Sequence, residues 1–179
     1  ILRELRQGNV PDGVSQELLE EFKEIQVEGL LPLEVSAEAC RDEVGIILKG
    51  LQERAGKVAL VHLGVAAGRK QICLECRAVN EADFRIPDVR GWQGSGEPVV
   101  DSAEPVLYSS LRLPEILGEL HDRGISCEIS TDAGRFVCNY IFFSSLHAAP
   151  RNIPVLFVHV PQFQDMNRQT QVTALLCLL

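Results

Sequence analysis

The stretch 125–148 restricts the fold of this chain more than any other. An apolar strand over 125–130 runs into a short polar turn holding Asp132 and Gly134, and a strongly apolar helix over 136–148 follows at once. Strand, glycine-bearing turn and buried helix together project a side chain just past the turn above the edge of a sheet. Here that side chain belongs to Cys138. A thiol in the first helical turn meets the positive end of the helix dipole and unpaired backbone N–H groups, which favour the thiolate. The same N–H groups can hold an oxyanion formed by attack on a carbonyl. Free cysteine is also among the most buried residue types, so a thiol packed in a core is the bland alternative. The rest of the chain decides between them.

Residues 1–7 read as the end of a helix closed by Gly8, and Ser15 caps a short helix with Leu18, Leu19 and Phe22 on its apolar side. Residues 25–35 read as extended, broken at Gly29 and bent at Pro32. Over 37–55, Val44, Ile47, Leu48 and Leu51 recur at helical spacing opposite Arg41, Asp42, Lys49 and Glu53. The apolar run 57–63 predicts a strand covered on both faces, followed by a small-residue loop from Gly64 to Gly68. A single alternating strand over 71–79 turns Ile72, Leu74, Cys76 and Ala78 one way and Cys73, Glu75 and Arg77 the other. Residues 80–104 are polar and rich in Gly and Pro, the pattern of a functional loop. A helix over 113–123 with Pro114 in its first turn, a strand over 153–160 and a final helix from Gln164 to Leu179 complete the chain. Strands alternating with helices predict an α/β fold: a single domain over 1–179, built as a three-layer α/β/α sandwich around a mixed, mostly parallel sheet.

Composition removes several function classes. A formal net charge of −8, with no basic cluster denser than Gly68-Arg69-Lys70, argues against nucleic acid as a partner. No apolar run approaches the roughly 18 residues of a membrane span, and residues 1–6 are charged and amphipathic rather than a signal-peptide core. The cysteines, at 40, 73, 76, 127, 138 and 177, are irregularly spaced in a chain long enough to build a core without disulfides. Reduced thiols and a cytoplasmic setting are the expectation. Cys73 and Cys76 form a C-x-x-C with no second pair, and in a strand they point to opposite faces, so no metal site is expected there.

The segment from 125 to 160 reads as strand, helix, strand, which predicts a right-handed crossover between two parallel strands. Cys138 then stands beyond the C-terminal end of the first strand and His159 at that of the second. Both reach one sheet edge, where open α/β folds build their sites. Thiol and imidazole brought together there make a nucleophile and its base. Glu75, a carboxylate on the polar side of an apolar strand, is the candidate for holding the ring in its working tautomer. His62 in mid-strand, His121 on a solvated helix face and His147 late in its helix are poorer bases.

The residues around this constellation resemble a known family. Ala133-Gly134-Arg135-Phe136-Val137-Cys138-Asn139, Phe157-Val158-His159-Val160-Pro161, and Glu75 followed by Ala78-Val79-Asn80 and Arg85-Ile86-Pro87-Asp88 look like pyroglutamyl-peptidase I, a family of cytosolic cysteine peptidases. The wording is nearest to its plant-like eukaryotic members, and the resemblance runs from about Val61 to Gln162. It implies Cys138 as nucleophile, His159 as base and Glu75 as the acid orienting that base. It places Arg85, with the backbone N–H of Cys138, at the oxyanion, and Ile86, Phe136 and Val137 around the pyroglutamyl ring. The implied reaction is hydrolysis of the amide bond after an N-terminal pyroglutamyl residue, through a thioester. Pyroglutamyl-capped peptides are the implied partners, no metal or organic cofactor is needed, and a homo-oligomer is left open. Family members open with a strand leading into a Gly-Phe-x-Pro-Phe loop whose aromatics clamp the ring. This sequence has no such segment and opens inside a helical pattern, so the chain reads as N-terminally incomplete. Val65 also stands where the best-studied bacterial members carry a polar residue. The alternative reading is a non-catalytic relative, a binding or regulatory scaffold that has lost the clamp.

Overall fold

A computed structural model describes residues 20, 29–54 and 57–178. The helices expected over 1–7 and around Leu18, Leu19 and Phe22, and the first part of the extended stretch, lie outside them. The described elements are α1 (Ala37–Gln52), β1 (Leu60–Val65), β2 (Ile72–Glu75), β3 (Arg77–Val79), β4 (Ala82–Asp83), β5 (Ser95–Glu97), β6 (Val106–Tyr108), α2 (Leu113–Asp122), β7 (Cys127–Ser130), α3 (Val137–Ala148), β8 (Val155–Val160) and α4 (Arg168–Leu178).

The central sheet has four strands in the order β1, β8, β2, β7. β1 pairs parallel to β8 and β2 parallel to β7, whereas β2 and β8 run antiparallel. Side chains of Phe157 and Val155 meet α1 and α3 on one face, where Cys40, Val44, Leu48, Phe142 and Phe143 build the core. On the other face Ile72, Leu74, Leu156 and Val158 meet α2 and α4. The result is the three-layer α/β/α sandwich with a mixed, mostly parallel sheet that the alternating pattern predicts. Among the described residues no helix is long and apolar enough to cross a membrane.

The N-terminal end of α1 is fixed by two side chains that accept from its first N–H groups. The Ser36 hydroxyl accepts from the Ala39 N–H at 3.2 Å, and Oδ2 of buried Asp88 accepts from the Ala37 N–H at 2.9 Å. Asp88 also accepts from the N–H groups of Arg90 and Trp92. Burial alone would raise its carboxyl, but these three bonds hold it below the usual carboxylate range.

Several expectations need correcting. β7 and β8 are not adjacent: β2 lies between them, so they run in opposite senses and the predicted parallel crossover does not form. β8 takes its parallel partner from β1 instead, and its side chains are buried throughout, as a central strand requires. The single strand expected over 71–79 breaks at Cys76. β2 stays in the central sheet while β3 pairs with β6, and Ala78 joins the α1–α3 core rather than following Ile72 and Leu74. β1 is not covered on both faces. Among the described residues it forms an edge, it runs on through Gly64 and Val65 instead of ending at residue 63, and Leu63 and Val65 are 43% and 64% exposed. The last helix begins at Arg168 and not near Gln164, because Asn167 Oδ1 caps it by accepting from the Thr170 N–H at 2.9 Å. The long segment 80–104 is shaped by the β4–β5 hairpin and by Asn80, whose side chain accepts from the Val100 N–H and donates to the Val100 and Ala103 carbonyls.

Candidate active site

Strand register sets out the floor of the site. Gly64, His159, Cys73 and Glu128 align in one row across β1, β8, β2 and β7; His62, Phe157, Glu75 and Ser130 align in the next. Both rows face α3, which reaches this floor through the His62–Ser145 hydrogen bond at 2.8 Å and through Phe142 against Phe157.

Cys138 is the second residue of α3. Phe136, at the cap position, makes no side-chain cap bond, and the helical ladder begins with the Tyr140 N–H donating to Phe136 O at 3.0 Å. The backbone N–H groups around Cys138 are therefore outside the ladder. The turn before the helix is held with unusual thoroughness. Gly134 has φ +81°, a conformation glycine takes without strain, and its N–H donates to Asp132 Oδ1 at 3.1 Å. Three guanidinium groups bind the carbonyls of the turn: Arg77 at Thr131 O (2.7 Å), Arg69 at Asp132 O (3.3 Å) and Arg135 at Gly134 O (2.7 Å). Arg135 also pairs with Asp132 and Glu81, each at 2.8 Å. These contacts fix the angle at which α3 leaves the turn and so where the thiol stands.

The thiol stands over β1 and β8. A Cβ added at Gly64 would lie 3.2 Å from Cys138 Sγ and 2.8 Å from Phe157 Cζ. The missing side chain of Gly64 thus leaves room for the Phe157 ring and the sulfur to close over β1, a role different from the flexible loop that the small residues 64–68 suggest. On the neighbouring strand the His159 ring lies within electrostatic reach of Cys138 and, through Nδ1, hydrogen-bonds Glu75 Oε1 at 2.7 Å. His159 is 7% exposed and Glu75 fully buried. Burial pulls the imidazole pKa down, but the neighbouring Cys138 and Glu75 outweigh it and hold the ring at about 9. Glu75 Oε2 has no hydrogen-bond partner among the described residues. The sequence placed Glu75 on the polar side of a strand; the structure puts it under the sheet's covering helix, on the same face as His159.

Thiol, imidazole and carboxylate are thus brought to one neighbourhood, with a hydrogen bond between ring and acid, although not by the route the sequence suggested. The meeting place is the C-terminal end of β8 and β1, reached because α3 crosses from the β7 edge over the sheet face. His62 is excluded as the base: burial lowers it to about 4, and its Nε2 is taken up by the Ser145 hydroxyl at 2.8 Å. His121 bonds the Cys127 carbonyl and His147 stacks on Phe143.

The remaining candidate residues divide. Phe136 is half-buried, its ring 4.7 Å from Phe84, and Phe84 in turn meets Trp92 at 5.0 Å and Tyr140 at 6.3 Å. Val137 is buried in the α1–α3 core. Arg85 and Ile86 are exposed on the segment just after Phe84, and among the described residues Arg85 has no hydrogen-bonding or ionic partner. Sequence reasoning missed Phe84, a fully enclosed aromatic inside what read as a polar loop, and Asn139. An amide placed directly after Cys138 in a mostly apolar helix was the available signal for the latter.

With this geometry, three comparisons agree. The pyroglutamyl peptidase family matches residues 17–174. The pyrrolidone-carboxylate peptidase of Pyrococcus furiosus is 39% identical over 123 residues, which cover 67% of this chain and 59% of that relative. That of Vibrio parahaemolyticus is 41% identical over 103 residues, covering 57% of this chain and 49% of the relative. The chain therefore spans about half the length of the curated relatives it matches. Among solved structures, the pyrrolidone carboxyl peptidase of Thermus thermophilus superposes with a TM-score of 0.70 at 31% identity, over 91% of this chain and 88% of that one. A mutant of the Pyrococcus furiosus enzyme gives 0.74 at 27% identity, over 90% and 86%.

Proposed function

Because the chain belongs to the pyroglutamyl peptidase family, we propose that it is a cysteine omega-peptidase that hydrolyses the amide bond after an N-terminal pyroglutamyl residue. The observation that carries this reading is the buried Glu75–His159 hydrogen bond at 2.7 Å beside Cys138 at the start of α3. Glu75 holds Nδ1, so the ring presents its other nitrogen to the thiol. The positive ring and the first-turn N–H groups of α3 favour negative charge on the oxygen of a tetrahedral intermediate.

Attack by the Cys138 sulfur on the pyroglutamyl carbonyl carbon forms the C–S bond and moves the carbonyl electron pair onto oxygen. The intermediate collapses as His159 passes its proton to the departing amine nitrogen, breaking the C–N bond and leaving a thioester. Water then gives a proton to His159 and its oxygen attacks the thioester. Collapse of this second intermediate frees pyroglutamic acid and restores the sulfur beside a protonated ring. Every group needed is supplied by the chain or by water. Exposed Arg85 is assigned to the oxyanion alongside the Cys138 N–H, and Phe136, Val137 and Ile86 to the lactam ring. A neutral, compact ring is suited by such an apolar wall with few polar partners.

The test is turnover of a fluorogenic pyroglutamyl amide. The wild-type chain should release fluorophore, Cys138→Ala should abolish release, and Cys127→Ala, altered on the opposite face of the sheet, should retain it. Equal loss in both variants refutes the assignment.

A further inference from the structure

We infer that Asn139 is a positioning residue of this site: its side chain locks the segment 79–86 against the N-terminus of α3. The segment carries Arg85 and Ile86, so the lock sets their separation from the Cys138 N–H groups. This rests on the peptidase reading only in giving Arg85 and Ile86 a substrate to act on.

Asn139 is fully buried in the first turn of an apolar helix, next to Cys138. An amide there is a poor choice for helix propensity and for core packing alone. Its contacts account for it. Oδ1 accepts from the Val79 N–H at 2.9 Å, and Nδ2 donates to the Val79 carbonyl at 2.8 Å and the Glu81 carbonyl at 3.1 Å. Side-chain amide and Val79 thus exchange both hydrogen bonds, as two residues of neighbouring strands would. β3 pairs with β6, Val79 against Val106, so the amide adds to β3 the partner it lacks within its two-stranded sheet. A second tether lies one step along, where Asp83 N–H donates to Arg135 O at 3.2 Å and Arg135 holds Glu81. Phe84, Arg85 and Ile86 follow directly. Each of the two catalytic walls therefore contributes one member of this contact: α3 the nucleophile with its neighbouring amide, the 79–86 segment the backbone it binds.

The experiment uses the full chain with Asn139→Ala and Asn139→Asp. The Asp variant keeps an acceptor for Val79 N–H and loses both donated bonds. Three quantities are read: the rate of Cys138 alkylation by iodoacetamide, kcat and KM on a pyroglutamyl amide, and hydrogen exchange of peptides covering 79–86. The expected result is alkylation unchanged, exchange at 79–86 accelerated while the end of α3 stays protected, and kcat/KM down by about 30- to 100-fold, the cost of an ångström-scale misplacement. A merely structural loss would slow alkylation in step with turnover, and that outcome overturns the inference, as does wild-type turnover in a folded Asn139→Ala. Should Asn139→Ala not fold, Asn139→Asp carries the same measurements. A wild-type chain that leaves pyroglutamyl amides uncut sinks the functional reading instead. Exchange then decides the lock on its own, and unaltered protection at 79–86 overturns it.

Discussion

Replacing Gly64 with alanine tests the placement of the nucleophile over β1. Gly64 is not among the glycines with positive φ, so alanine meets no backbone penalty there. Its unfolded chain would even be less flexible, which favours the variant by about 0.4–1 kcal/mol. The difficulty is space. The new Cβ would sit 2.8 Å from Phe157 Cζ and 3.2 Å from Cys138 Sγ, whereas carbon atoms in contact prefer about 3.5–4.0 Å. The ring would need to withdraw by several tenths of an ångström or more. Phe157 is only 2% exposed and is wedged between His159 at 4.7 Å, Phe142 at 5.9 Å and His62 at 6.1 Å. Overpacking of this kind costs roughly 1–3 kcal/mol. Net destabilisation of up to about 2.5 kcal/mol follows, a fall in Tm of several degrees for a domain of this size. The half-buried thiol is the softer neighbour, so the sulfur moves as well, and the drop in kcat/KM should reach roughly 10- to 100-fold. Thermal melts, turnover of a pyroglutamyl amide and alkylation of Cys138 read the three effects separately. A folded Gly64→Ala chain with wild-type alkylation and wild-type turnover would refute the placement of the sulfur above Gly64.

Two more outcomes follow from the same geometry. In the proposed mechanism His159 donates the proton to the leaving amine, so kcat/KM should fall on the alkaline side near pH 9. Glu75→Gln should move that limb down toward the ordinary imidazole range and cut turnover by about 10- to 150-fold, the worth of a charge-assisted hydrogen bond; an unmoved limb would show that Glu75 does not act on the ring. The folded ring holds its proton more tightly than the unfolded one, so the stability it contributes is complete below about pH 6.5 and is lost as pH rises through about 9. For His62 the sign reverses: its contribution is present above about pH 6.5 and is lost as pH falls toward about 4. Finally, iodoacetamide followed by peptide mapping should modify Cys138 first, because burial pushes Cys40 and Cys73 up to about 12 and raises Cys127. Earlier labelling at any of those three would contradict the site.

The alternation of strand and helix and the candidate residues Glu75, Cys138 and His159 were legible in the sequence because each is marked by local pattern. Helical spacing at Val44 and Leu48, the turn at Gly134 and the short motifs around Cys138 and His159 depend on near neighbours alone. What local pattern cannot carry is which strand lies beside which. β2 inserts between β7 and β8 because residues 72–75 present one edge to each, a choice made by ladders between positions more than fifty residues apart. That choice reversed the sense of β8 relative to β7, broke the strand expected over 71–79 at Cys76, and buried Glu75 under the helix. Packing likewise gave Gly64 its meaning, since the space a missing Cβ leaves is defined only once Phe157 and Cys138 arrive around it. Chemistry was written in the residue types, while the distance between thiol, ring and acid was decided by the register of a sheet.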